Sequence, residues 1–425
     1  MRALYDIFFV FFSIVYIPGL LFGRKMHRGF IQRFGILPGG LTGPEDRPLW
    51  IHAVSVGEAA VAAKIAARFK KMMPGIKILV SVTTRTGYNM ALKAGKNDID
   101  GVFYSPLDIS AVVSRVVRKI NPRAYIMIET ELWPNILEQM RLRGVPVALV
   151  NGRISDHSFR NYMKIKFLTR RILGCIGCFC MQSDDDACRI KELGAPKAGV
   201  FVTGNVKFDE TPLSTESRVF DKKTFGFNEN EEVFVAGSTH FPEERVLIGV
   251  YKKLRDKYPG LKFILAPRHI ERASGIREHF LKEGVKCRYL SEILAGAGKR
   301  AEGCDVVLVD TIGHLKTLYS MASVVFIGGS LAGKGGQNPI EAAVWGKPVV
   351  FGPNMQNFRE IARVFTESGA AVKINDAGEL GTVLDGILGD AGKKTLMAKA
   401  SAEVIEKNSG ALGRTVDRIK CFLGL

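Results

Sequence analysis

The sequence carries no H-E-x-x-H and no D-x-D with supporting ligands, and its glycine-rich loop at 328–336 fits neither G-x-G-x-x-G nor G-x-x-x-x-G-K-[ST]. A zinc-peptidase reading is excluded, and ordinary dehydrogenase and P-loop NTPase readings lose their support. Cysteine is sparse and odd in number, seven in all, with four at Cys175, Cys178, Cys180 and Cys188. Three of these fall in an apolar strand-like run whose side chains alternate between faces, a poor geometry for a shared metal, so they read as reduced cytoplasmic thiols. Acidic residues are outnumbered, 42 Asp and Glu against 60 Lys and Arg, for a formal charge of +18. Such a balance favours anionic partners: nucleic acid, anionic lipid or phosphorylated substrates. There is no internal repeat, no low-complexity tract and no RNA- or DNA-binding motif. What the chain does have is length and apolar content, 425 residues with 47% hydrophobic, enough for the cores of two domains.

The N-terminus differs from the rest. Residues 7–22 are uncharged, and Arg24, Lys25, His27, Arg28 and Arg33 follow. The pattern predicts a membrane anchor, either spanning or monotopic, with the main body held on the cytoplasmic side by the positive charge. A cleaved signal peptide fits less well, because the basic residues lie after the apolar run and no small-residue cleavage site follows it.

From Leu49 onward short β-rich runs alternate with helical patterns, at 49–54, 76–82, 101–104, 124–129, 146–150, 176–182 and 200–203. They predict the buried parallel strands of an α/β domain. The polar stretch Asp209 to Glu232 reads as a linker, after which strands resume at 233–237, 262–266, 306–309, 324–327 and 348–351. Two doubly wound domains of similar size follow, with ligands expected at the carboxyl ends of the strands and chemistry in the cleft between the domains.

Polar groups recur at those strand ends. Glu58 closes the first strand's turn and opens a helix, where the dipole keeps a carboxylate ionised; it reads either as a general base or as a first-turn cap. Glu129 and Glu131 with Trp133 follow the strand at 124–129, Glu129 serving either a ligand or backbone donors. Thr83 to Gly87 and Asn151 to Ser155 repeat the arrangement. Lys207, in the turn after the strand at 200–203, and Arg268, in the second half, are candidates to hold charge on a departing phosphate, unless they are ordinary surface cations. The loop 328–336 and the helix start at Asn338-Pro339 read as a nucleotide pocket, glycine amides approaching a phosphate and Glu341 accepting from ribose hydroxyls, or else as a plain strand-to-helix connection. Asp184 to Asp186 read as first-turn acids rather than metal ligands. Residues 160–173 interleave Lys and Arg with Ile165, Phe167 and Leu168, which fits both a membrane-surface helix and a solvated face.

Taken together and in this order, H-A-V-S-V-G-E (52–58), I-E-T-E-L-W-P-N (128–135), N-G-R-I-S (151–155), T-G-N-V-K-F-D (203–209), A-P-R-H (266–269) and G-G-Q-N-P-I-E-A-A (335–343) resemble the 3-deoxy-D-manno-octulosonic acid (Kdo) transferases of Gram-negative bacteria. The resemblance covers nearly the whole chain. It implies an α/β fold of GT-B type, two Rossmann-like domains facing a cleft: an anchor at 1–24, an acceptor domain at 25–211 and a CMP-sugar domain at 212–425. It implies inverting transfer of Kdo from CMP-Kdo to a lipid A precursor at the cytoplasmic face of the inner membrane, without metal or cofactor. By motif, Glu58 would be the general base, and Glu131 and Lys207 would stabilise the transition state. Pro267 and Arg268, the Ile312-Gly313-His314 turn, and Asn338, Pro339, Ile340 and Glu341 would bind CMP. His314, Gln337 and Pro242 depart from the family pattern, in which an acid, a His and a Gly are common at these places. The rival readings are another membrane-associated GT-B enzyme using a UDP-sugar and, in a different class, a membrane-anchored nucleic-acid-binding protein.

Overall fold

The computed structural model describes residues 5–6, 29–41, 43, 46–209, 220–296 and 304–425. The uncharged run 7–22 and the basic residues from Arg24 to Arg28 lie outside the described residues. Among those described, no helix is long and apolar enough to cross a membrane. Arg33, expected among the charges flanking the anchor, is half-buried; its guanidinium donates to the Thr83 carbonyl and lies over the Tyr104 ring.

The chain divides into two compact units, Met1–Asp209 with Ser409–Leu425, and Glu210–Asn408. The first is a seven-stranded parallel sheet: β1 Leu49–Ala53, β2 Ile78–Val82, β3 Gly101–Tyr104, β4 Ala124–Ile128, β5 Val147–Gly152, β6 Cys178–Met181 and β7 Val200–Val202, in the order β3-β2-β1-β4-β5-β6-β7. The β-branched runs form strands buried on both faces because alternate side chains feed two separate cores. Leu49, Ile51 and Ala53 enter one, with Val80 and Ile126 beside them; Trp50, Leu79 and Tyr125 enter the other. The strand order reverses between β1 and β4, which opens a crevice beyond their carboxyl ends.

The second unit repeats the plan with β8 Val233–Thr239, β9 Lys262–Pro267, β10 Cys287–Tyr289, β11 Val306–Leu308, β12 Val324–Ile327, β13 Val349–Phe351 and β14 Ala371–Lys373. Its order is β10-β11-β9-β8-β12-β13-β14, all parallel, with the reversal between β8 and β12. The edge strands β10 and β14 are absent from the sequence expectation. Each is three residues long with one buried side chain, too short to leave a periodic signal.

Two boundaries differ from the expected ones. The second domain does not run from 212 to 425: the last helix, Ala411–Leu423, packs on the first unit, with Ala411, Val416 and Ile419 in the same core as β1 and β4. The Asp209 carboxylate accepts from the backbone N–H groups of Gly410 and Leu412, tying the departing and returning chain together. Nor is the stretch up to Glu232 all linker, since Phe220, Phe225 and Phe227 form a buried aromatic group within the second unit. Asp184 to Asp186 do open a helix, Asp184–Glu192, and Asp186 accepts from Ile154 N–H at 2.6 Å.

Because Ile419 is fully buried beneath the first sheet, Ile419→Ala should cost about 2–5 kcal/mol of stability in denaturant unfolding. A change below about 0.5 kcal/mol, as for a surface site, would contradict the assignment of this helix to the first unit.

Candidate functional site

In the first unit the crevice between β1 and β4 collects three carboxylates. Glu58 stands in the first turn of the helix Val56–Met72, whose N-cap is Ser55. The serine hydroxyl accepts from Glu58 N–H, and the Glu58 carboxylate accepts from Val54 N–H at 2.7 Å, Ser55 N–H at 3.3 Å and the Ser55 hydroxyl at 2.7 Å. This is a capping box. A carboxylate has about four acceptor positions, so one lone pair of Glu58 is left for another partner. The residue is buried. Burial raises its carboxyl above the ordinary range, the Val54 N–H draws it partway back, and the Glu129 charge adds to the rise.

Glu129 follows β4 with φ +59, a left-handed conformation that costs a non-glycine residue about 1 kcal/mol. It aims the carboxylate at two cations, Lys207 Nζ at 2.9 Å and Arg153 Nε at 3.1 Å. Burial alone would raise Glu129, but these two charges outweigh it and hold the carboxyl below the usual range. Lys207 is itself placed by neighbours: Asn151, also left-handed at φ +54, accepts from Val206 N–H at 3.0 Å, and Asn205 accepts from Lys207 N–H at 3.0 Å. A Cβ on Gly57 would lie 4.0 Å from Lys207 Cε, so the ammonium stem runs beside the turn that carries Glu58.

Among the described residues, Glu131 has no such cation. Burial, then the charges of Glu58 and Glu129, push its carboxyl up to about 7. The structure thus brings together Glu58, Glu131 and Lys207, and adds Glu129, which holds the lysine, and Arg153, which shares the Glu129 carboxylate with it. Beneath them His52 is fully buried, hydrogen-bonded to Ser81 at 2.9 Å and driven by burial down to about 4. It is a neutral core residue, not a proton carrier at neutral pH.

In the second unit the loop after β12 is built differently from the expectation. The fully buried Glu243 sends its carboxylate into the loop, accepting from His240 N–H at 2.8 Å, Gly329 N–H at 2.8 Å, Leu331 N–H at 2.8 Å and Ala332 N–H at 3.1 Å. These amides are therefore committed to Glu243 rather than free to cradle a phosphate. The helix after the loop is one turn, Ile340–Ala343, with Asn338 Oδ1 accepting from Ile340 N–H at 3.1 Å. Gly328 is required by a close crossing: a Cβ there would meet the Ser238 carbonyl oxygen at 2.4 Å.

The positive charge gathers beside this loop. Arg268 and His269 are exposed at the end of β9, the rings of His240 and His269 lie 5.6 Å apart, and a Cβ on Gly329 would approach His240, Gln337 and the stem of Lys334. Burial and the neighbouring His269 lower the His240 imidazole. Among the described residues, the buried His240 Nε2 and Thr311 Oγ1 have no hydrogen-bond partner. Of the sequence candidates, Pro267 ends β9 buried and Ile312 and Gly313 are exposed, while His314 packs edge-on against Phe220. Glu341 lies within electrostatic reach of Tyr319. Glu243 and Lys334 were missed. Glu243 looks like any first-turn acid, and only the fold shows that its partners are 86 to 89 residues away.

Two doubly wound parallel sheets, each with its polar residues at the switch point, define the GT-B class of α/β architecture. Among solved structures of this class is the UDP-GlcNAc 2-epimerase of Neisseria meningitidis bound to UDP-GlcNAc, with TM-score 0.61, 15% identity, and 88% of this chain and 99% of that one covered; the likeness concerns the fold alone. The family profile described as 3-Deoxy-D-manno-octulosonic-acid transferase (kdotransferase) matches residues 28–210. The 3-deoxy-D-manno-octulosonic acid transferase of Haemophilus influenzae is 30% identical over 395 residues, 92% of this chain and 91% of that protein. The Bordetella pertussis protein of the same description is 31% identical over 405 residues, again 92% and 91%. The chain belongs to the 3-deoxy-D-manno-octulosonic acid transferase family.

The raised carboxyl of Glu131 has a consequence for stability. Between its ordinary value of 4.5 and about 7 the folded protein keeps a proton that the unfolded chain has released. Stability from this group is therefore lost as pH rises through that window. Glu131→Gln, which cannot titrate, should gain on wild type between pH 4.5 and 7 in thermal melts and hold a constant advantage above. A pH-independent difference would contradict the shift.

Proposed function

We propose that the protein transfers Kdo from CMP-Kdo to a lipid A precursor in lipopolysaccharide core assembly, as an inverting enzyme of the inner membrane. The observation that carries the reading is the similarity, over nine-tenths of the chain, to proteins described as Kdo transferases. The first unit holds the acceptor and the second the CMP moiety. The acceptor hydroxyl oxygen attacks the anomeric carbon of Kdo, the bond from that carbon to the phosphate oxygen breaks, CMP leaves, and the hydroxyl proton passes to Glu58. The raised Glu58 carboxyl and its unclaimed lone pair suit it to receive that proton. Lys207, held by Glu129, and Glu131 stabilise the charge that develops during transfer. Arg268, with His240 and Lys334 beside it, offsets the charge on the departing phosphate, and the 312–314 turn and the 338–341 segment complete the CMP site. The run 7–22 anchors the chain, and the basic residues after it keep both units on the cytoplasmic side.

One observation favours a second assignment within the same reaction. Glu131, pushed up to about 7, is matched to neutral pH as a base, whereas Glu58 already accepts from three donors. Purified protein given CMP-Kdo and tetraacylated lipid A precursor, with the donor-generating step finished and its metal chelated, should yield products heavier by Kdo increments. Glu58→Gln should lower turnover at least 100-fold, within the usual range for general base catalysis, while CMP binding persists. Loss confined to Glu131→Gln would transfer the base role to Glu131. No increment from folded wild-type protein would refute the reaction.

A further inference from the structure

The N-G-R-I-S segment that supplies Arg153 runs on into two short helices, Asp156–Lys164 and Lys166–Leu173. From His157 to Leu173 there is no acidic residue, and Arg160, Lys164, Lys166, Arg170 and Arg171 are all exposed. The expected single helix over 160–173 is broken at Ile165 (φ −119, ψ 32), whose carbonyl accepts from the Thr169 hydroxyl. The break turns two apolar side chains outward. Ile165 is 51% exposed, and Phe167, at 85%, is the most exposed large hydrophobic residue among those described. A protruding aromatic ring flanked by Lys164, Lys166 and Arg170 is poorly suited to water and well suited to an anionic lipid boundary.

The placement of this elbow gives the second, independent observation. The helix Lys166–Leu173 packs against the helix Pro134–Leu142, and Arg171 reaches Glu138 at 3.2 Å. At the start of that second helix Asn135 donates to Asp6 Oδ1 at 2.8 Å, and Ser110 N–H donates to the same oxygen at 3.1 Å. Asp6 immediately precedes the uncharged run 7–22. At the far end of the same helix Leu142 is 54% exposed between Arg141 and Arg143. Asp6 and the basic elbow are thus both held by one helix, and Tyr162 of the elbow lies within electrostatic reach of Glu131.

We propose that the Ile165–Phe167 elbow is a second membrane contact, separate from the N-terminal run, in which the two apolar side chains enter the acyl boundary of an anionic bilayer and Lys164, Lys166 and Arg170 meet lipid phosphates. The inference rests on the membrane location proposed above. It gives that location a function: docking here sets the carboxylate edge of the first sheet at the lipid surface, where the head group of a lipid-borne acceptor lies.

The test uses the full chain with Phe167→Trp, a substitution at an exposed site, and vesicles of phosphatidylcholine with or without phosphatidylglycerol. Acyl chains brominated near the head group act as quenchers. The emission added by the new tryptophan should shift to the blue on anionic vesicles and fall about twofold with brominated chains, as expected for insertion of about 5–10 Å. Adding Lys164→Glu, Lys166→Glu and Arg170→Glu should abolish both effects. A water-like, unquenched added emission from vesicle-bound protein would overturn the elbow while leaving the N-terminal anchor standing. A blue shift without lipid that grows with protein concentration would assign the surface to a second copy and also overturn it. Failure of the wild-type chain to sediment with either vesicle would overturn both the membrane location and this contact.

Discussion

Three carboxylates within one another's electrostatic reach, Glu58 buried and Glu129 and Glu131 partly buried, with cations among the described residues for only one of them, are the constraint around which the first unit is organised. Glu129 takes both Lys207 and Arg153. Glu58 is compensated by a helix start and the donors of its own capping box, and Glu131 is left to hold a proton near neutrality. Like charges gathered in a poorly solvated crevice separate their proton affinities in this way. The outcome is one low carboxyl, one moderately raised and one near 7. Such a set can both take up a proton and offer a hydrogen bond, which a glycosyl transfer to a hydroxyl requires. The cost appears in the backbone, where Glu129 and Asn151 are both left-handed in order to aim their side chains.

In the second unit a single buried acid has the opposite role. Glu243 organises the 329–332 loop by accepting its amides, so the loop's shape is set by the protein's own contacts. The side chains gathered around the loop are those of Arg268, His240 and Lys334, and the one-turn helix Ile340–Ala343 follows it.

Much of this was legible in the sequence. Strands buried on both faces announce themselves as β-branched runs, and the polar residues at their ends mark Glu58, Glu129, Glu131 and Lys207 in the sequence itself. The rest depends on long-range packing. The helix at 411–423 returns to the first unit through Ile419 and the Asp209 carboxylate, and no local pattern encodes which core an amphipathic helix joins. Phe220, Phe225 and Phe227 sit in a stretch whose Lys, Asn and Asp content suggested a linker. The division of labour between Glu129 and Glu131, two residues apart on one strand end, follows from where Lys207 and Arg153 arrive from distant parts of the chain.

The central claim is that the crevice holds one carboxyl titrating near neutrality because its cations are spent on Glu129. Carbon-13 NMR of protein labelled at glutamate carboxyl carbons, titrated from pH 4 to 9, tests it directly. The account requires one resonance titrating at about 7 that disappears in Glu131→Gln. Carboxyls that all titrate below pH 5.5, or a neutral titration that persists in that variant, would contradict it.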